Sequence, residues 1–383
     1  MKGPGKLLPP IVVGVMGNTG IYLVPLMLGA MVSDRGFTEQ QAGLVASADL
    51  AGYATTTFVT AMFLIRKDWR QLALTGIVVM ILANLGSIFV TSGVAFAAVR
   101  FLSGMGAGIL AAIATVSLGR SESPDRGYGL LFAASLLFGS AGLWGLPVLM
   151  ERTGLNGAYV FIAVLALLAG VVSRNLEQGS DGGEPEASAA GNAKRASPLL
   201  AVLVLVSITI FWAQQNALYA YMERIGDAAG LTGPFIGFAL GFANLSGFVG
   251  AALVAWMGAR FGRRLPLALS TVLQLVCLWL LSRSSDPSGY LFSVALISLC
   301  WNVVNPIQIG ILAEVDDGGR LLALSSTVIG VGLASGPALG AAVLTGTDYS
   351  RVLWLCAALS IVTAVLAVPA LTGARKQQLT HAA

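Results

Sequence analysis

The chain has 383 residues, 56% hydrophobic and 10% charged, whereas soluble domains carry about a quarter charged residues. A soluble globule of this size is thereby excluded, because its surface would lack the charge to face water, while lipid asks for an apolar exterior. The net charge of +4 is scattered with no basic block suited to a phosphate backbone, so nucleic acid is not an expected partner.

In chain order, Lys2 and Lys6 precede an apolar stretch from Leu7 to Val32, too long for a cleavable signal core and read as span 1. Further spans of membrane length are predicted at 40–64, 71–91, 93–118, 128–150 and 155–173, with span 1 at 8–31. Residues 174–197 form a break rich in Gly, Ser, Ala and Glu that cannot bury enough apolar surface to fold alone. Six more spans follow at 199–222, 233–257, 265–282, 288–313, 321–345 and 350–371. The expected fold is therefore an all-α membrane protein of about twelve spans, with a six-helix half at 1–173, a cytoplasmic linker at 174–197 and a second half at 198–383.

Lys and Arg set the orientation. One side of this arrangement holds 16 of them and the other five, with Arg100 left inside the membrane. Both termini are expected in the cytoplasm. The halves also repeat: adding 194 carries Gly36 to Gly230, Thr38 to Thr232, Gly43 to Gly237, Arg66 to Arg260, Arg70 to Arg264, Arg126 to Arg320 and Gly142 to Gly336. Two parallel repeats predict a solute site between them, near the midplane.

Metal and cofactor chemistry find little material. Cys277, Cys300 and Cys356 lie in apolar runs without CxxC spacing, and the lone His381 is in the C-terminal tail. No metal site and no cofactor are expected, and no GxxxxGK[ST] loop is present to bind nucleotide.

Several segments resemble the major facilitator superfamily, over nearly the whole chain. Arg260-Phe261-Gly262-Arg263-Arg264 matches the basic end of that family's Gly-x-x-x-Asp-Arg-x-Gly-Arg-Arg loop, with Ala259 at the Asp position. The first-half copy keeps Arg66 and Arg70 but has Ile65 there. The resemblance implies a gating role for Arg66, Arg70, Arg260, Arg263 and Arg264, without the acids of the family's charge relay; anchoring of the positive side is the alternative. Arg100-Phe101-Leu102-Ser103-Gly104-Met105-Gly106-Ala107-Gly108 is close to the family's Arg-x-x-x-Gly-x-Gly pattern. Gly332, Gly336, Pro337 and Gly340 in span 11 resemble an element that the family's antiporters place in span 5.

A charge inside lipid is costly and needs a partner or a function. By helical rise, Arg100 sits on the order of 10 Å below the outer end of span 4, and Asp49 on the order of 14 Å below that of span 2. They are expected to pair, with Asp49 the group whose protonation couples to transport; a permanent packing pair is the alternative. In span 7, Trp212, Asn216 and Tyr219 form one helical stripe with Gln215 beside it, and span 10 repeats this with Trp301, Asn305 and Gln308. The family likeness implies that spans 1, 4, 7 and 10 line the cavity, which adds Asn18 and Tyr22.

The expected function is secondary active transport of a small amphiphilic, aromatic or carboxylate-bearing solute by alternating access, coupled to protons, in a bacterial inner membrane. A carboxylate is expected to compete for Arg100. A monomer in contact with lipid is expected, and not an enzyme. A uniporter or exchanger, or a receptor or assembly subunit that moves nothing, are the rival readings.

Overall fold

The computed structural model describes residues 7–64, 68–121, 123–177, 198–257, 262–283, 286–315 and 320–381, and these residues form eleven helices. In chain order they are α1 (Leu8–Ser33), α2 (Glu39–Val59, prolonged by a π turn, Thr60–Leu64), α3 (Trp69–Phe89), α4 (Gly93–Gly119), α5 (Pro124–Ser173), α6 (Pro198–Ala228), α7 (Gly233–Met257), α8 (Arg264–Arg283), α9 (Pro287–Val315), α10 (Arg320–Val343) and α11 (Ser350–His381).

Local chemistry sets several starts. Prolines at the first turns of α1 and α5 lack only a donor that has no intrahelical partner. Thr38 caps α2 in a reciprocal box with Gln41, and the Asp68 carboxylate accepts the Arg70 and Gln71 amides at the start of α3.

Spans 5 and 6 of the sequence reading fall within α5, which breaks at Gly154 with φ 61°. The chain reverses there, as two clusters show. Arg70 Nε donates to Leu176 O at 2.7 Å and Arg120 lies over the Trp69 ring, so residues 70, 120 and 176 share one end. Arg35 donates to Ser87 O, Val90 O and Asn156 Oδ1, and Leu155 N to Asp34 Oδ2, so residues 35, 90 and 155 share the other. Hence α5 runs across the bundle twice, and the described residues form twelve helical passes in two six-helix halves. Ten of the helices are long and apolar enough to cross a membrane. The exception, α2, carries Gln40, Gln41, Asp49 and the Thr55–Thr57 run.

The offset seen in the sequence has a backbone counterpart. Gly36 and Gly230 both have positive φ, 67° and 80°, just before α2 and α7. Gly154 and Gly346, the turns inside α5 and before α11, stand two residues off that offset and are alike at φ 61° and 63°. A side chain at any of these would be strained.

The halves meet through α2 with α10, α5 with α7 and α1 with α6. Their hydrogen bonds gather toward the end that bears Glu39. Ser140 Oγ donates to Gly241 O (2.9 Å), Trp144 Nε1 to Phe238 O (3.1 Å), Tyr219 OH to Tyr22 O (2.7 Å) and Gln40 Nε2 to Leu344 O (3.0 Å). The Glu39 end is closed in this conformer.

Candidate functional site

A cavity of about 260 Å³ lies between the halves. The first half contributes Asn18 and Tyr22 from α1, Tyr53 from α2, and Phe132 and Leu136 from α5. The second contributes Trp212, Gln215 and Tyr219 from α6, Asn244 from α7, and Ser298, Trp301, Asn302 and Asn305 from α9, with apolar neighbours. No charged side chain is among these lining residues.

The aromatic side is built edge to face. The Trp301 ring stands at 81° to Trp212 with centroids 5.5 Å apart, and at 74° to Tyr219 at 6.2 Å. Such pairs fix ring orientation as well as burying area. Opposite them, Tyr53 OH donates to Asn18 Oδ1 at 3.0 Å. Trp212 Nε1, Gln215 Nε2 and Asn305 Oδ1 are buried without a partner, as is Asn244 Nδ2. A buried polar atom left unpaired costs about 1–3 kcal/mol, so a solute that bonds to these atoms recovers that cost on binding.

Of the nine residues expected in the wall, Asn18, Tyr22, Trp212, Gln215, Tyr219, Trp301 and Asn305 line this cavity. Asn216 and Gln308 do not. Asn216 donates to Trp212 O and packs against Gly336 of α10. Gln308, 2% exposed, donates to Ser207 Oγ of α6. Tyr53, Asn244, Ser298 and Asn302 complete the polar wall and were not expected. Asn244 is the only carboxamide of α7, a signal readable in the sequence.

Arg100 and Asp49 are in contact. Arg100 Nη2 donates to Asp49 Oδ2 at 2.6 Å and Nη1 to Asn84 Oδ1 at 3.0 Å, and the guanidinium lies 5.1 Å from the Tyr159 ring centre. Asn84, fully buried, is anchored in turn to Met80 O and Ser103 Oγ. The glycines of the span 4 motif explain the closeness: a Cβ at Gly104 would fall on Asp49 O, and one at Gly108 on Tyr53 O. The pair does not face the central cavity. It lines a separate cavity of about 30 Å³ with Gly20, Leu23 and Val24 of α1. A solute carboxylate in the central cavity therefore does not meet Arg100, contrary to the sequence expectation, because α1 stands between.

Among the loop arginines, Arg66 and Arg260 fall outside the described residues. Arg70 bonds Leu176 O, Arg264 opens α8, and the Arg263 guanidinium lies against Gly310 of α9. Gly332, Gly336 and Gly340 all face α6, so that element is a close-packing surface here. Cys277, Cys300 and Cys356 are buried free thiols.

A twelve-crossing bundle that holds a polar and aromatic chamber between its halves defines a solute carrier of the membrane. The Major Facilitator Superfamily model matches residues 11–316 and 203–382, and the chain belongs to that family, whose members are transporters and not enzymes. An uncharacterized MFS-type transporter of Bacillus subtilis (strain 168), YbcL, is 22% identical over 387 residues, covering 96% of this chain and 95% of that protein. Among solved structures, the nucleoside transporter NupG (D323A mutant) superposes with a TM-score of 0.74 at 12% identity, covering 95% of this chain and 99% of that one. A proton-dependent oligopeptide transporter gives 0.74 at 14% identity, with 97% and 99% covered. A bacterial homologue of the human lysosomal transporter Spinster, inward-facing and unoccupied, gives 0.69 at 13%, with 98% of each covered.

Trp301 holds the edge-to-face cluster together, so Trp301→Ala should weaken apparent solute affinity by about tenfold or more in transport assays. Asn216→Ala, behind the wall, should leave it near wild type.

Proposed function

We propose that this protein is a proton-coupled secondary transporter of a small, amphiphilic, aromatic solute, working by alternating access with the central cavity as its site. The observation that supports this most is the wall itself: six aromatic residues and five carboxamides, several with unpaired buried atoms, and no charge among the lining residues. Aromatic faces favour planar solutes, and the unpaired amide and indole groups favour one that carries hydrogen-bonding atoms. The closed Glu39 end fits one state of an alternating cycle in which the halves rock about the site.

For coupling, we propose Asp49. Its carboxylate is about one-fifth exposed toward the small cavity behind α1. The same helix presents Asn18 and Tyr22 to the solute cavity. Protonating Asp49 weakens its hold on Arg100, and α1 lies in position to carry that change to the solute wall. We further propose a monomer in contact with lipid, in a bacterial inner membrane, with the Arg70 end and both termini in the cytoplasm; the excess of Lys and Arg at that end supports the orientation. The six-helix halves are proposed to extend over 1–173 and 198–383, joined by 174–197.

The test is proton movement in liposomes holding wild type or Asp49→Asn, followed with an internal pH dye against a panel of neutral aromatics, amines and organic acids. The expected result is solute-dependent proton flux that Asp49→Asn abolishes. Solute uptake unchanged by the substitution would reduce Asp49 to packing and leave a uniporter or exchanger. An asparagine oxygen still accepts from Arg100 but leaves its charge uncompensated, so flux is compared between wild type and variant at equal amounts of monodisperse reconstituted protein.

A further inference from the structure

The closed end holds more acid than base. Arg224 Nε donates to Glu39 Oε1 at 2.9 Å and Nη1 to Asp227 Oδ2 at 2.8 Å, while the Tyr349 hydroxyl donates to the same Glu39 oxygen. The guanidinium is thus committed to two carboxylates. Its sequence neighbour Glu223 feels that charge but shares no hydrogen bond with it. Glu223 lies against Gly29 of α1, where even a Cβ would not fit, and its Oε2 is buried without a partner. Glu39 is 5% exposed and also leaves one oxygen, Oε2, unpaired.

The groups around Glu223 can be taken element by element. Its own helix brings Arg224 and Asp227, α2 brings Glu39, and α9 brings Tyr290, whose hydroxyl is spent on Met222 O. Tyr349, just before α11, is bonded to Glu39. From α1 the position against Glu223 is Gly29, which carries no titrating group. Three carboxylates therefore surround one cation. With Oε2 buried and unpaired, an ionised Glu223 is costly although the residue is only partly buried, and the like charges of Glu39 and Asp227 add to the cost; taking up a proton relieves both.

We propose that Glu223 is a proton-binding site of this gate, protonated while α1 and α6 are packed together at the Glu39 end and releasing its proton to water when the halves part. The proposal rests on alternating access and is independent of Asp49. The sign follows from linkage: the closed conformer binds the proton more tightly, so closure is fully favoured below the open-state pKa of Glu223. That advantage is lost as pH rises through the closed-state pKa.

The experiment is pulsed electron paramagnetic resonance on full-length protein in nanodiscs. Nitroxides are placed at Thr91→Cys and Thr347→Cys, exposed loop positions of the two halves at this end. The buried thiols are removed by Cys277→Ala, Cys300→Ala and Cys356→Ala. In this background with native Glu223, the ratio of long to short distances should rise with pH, by up to about tenfold per pH unit across the transition, as loss of one proton requires. Glu223→Gln should stay at the short distance throughout, and Glu223→Asp should titrate with a displaced midpoint. Glu39→Gln, which strips Arg224 of its main partner, should favour the long distance at every pH. A Glu223→Gln protein that titrates like its parent, or a parent ratio that does not respond to pH, overturns the proposal. Should Glu223→Gln not fold, an unshifted midpoint in Glu223→Asp overturns it equally.

Discussion

Arg100→Ala is expected to lower stability by about 3–5 kcal/mol, the range found when one partner of a buried ion pair is removed. The guanidinium is 7% exposed and satisfies Asp49 Oδ2 and Asn84 Oδ1 at once while lying over Tyr159. Without it, two acceptors are stranded between α2, α3 and α4, where lipid and packed side chains supply no replacement. Arg100→Met combined with Asp49→Asn removes both charges together. It should cost clearly less than the sum of the single changes, since replacing a whole buried pair is often close to neutral. Unfolding in detergent micelles followed by circular dichroism gives the cycle directly. Additive losses would mean that the two residues act independently, against the 2.6 Å contact.

Gly104→Leu should be as damaging, for a steric reason. At this position α4 meets the backbone of α2, because the Cβ site coincides with Asp49 O, and the reciprocal position Gly52 faces Phe101 O. Backbone cannot rotate aside as a side chain does. The helices must separate, which breaks the Thr56 to Met105 O bond (2.8 Å) and the Arg100 pair along with the packing. The loss should reach or exceed the upper part of the ~1–3 kcal/mol typical of overpacking, seen as a lower yield of monodisperse protein and a lower melting temperature. Gly145→Ala is the control, since nothing lies within 4 Å of the added carbon. It should be neutral or slightly stabilising, as alanine is the better helix former.

The two effects also mark what a linear reading can reach. The pairing of Asp49 with Arg100 was legible because each interrupts an apolar run, and matching depth is a one-dimensional property. The stripe on α6 was legible from helical period, yet period gives a face wider than the cavity. Trp212, Gln215 and Tyr219 look into it, while Asn216, one position beyond Gln215, turns to α10. Gln308 fails in the same way toward Ser207. That the ion pair and the solute wall lie on opposite sides of α1 is a tertiary fact with no sequence signal. The cluster of Glu39, Glu223, Arg224 and Tyr349 was hidden for another reason: charges near span ends normally face water, and only the approach of α1, α2 and α6 buries these.

The near symmetry of the backbone contrasts with how its two copies are furnished. Gly36 and Gly230, and Gly154 and Gly346, repeat the same turns, but the charged pair with its amide support belongs to the first copy alone. Most of the solute wall belongs to the second, through α6, α7 and α9. Such a division of labour loosens an evolutionary constraint. Substitutions in α6 and α9 can reshape the cavity wall without touching the Asp49–Arg100 network. A lineage built on this plan is free to remodel its chamber while inheriting its buried ion pair intact.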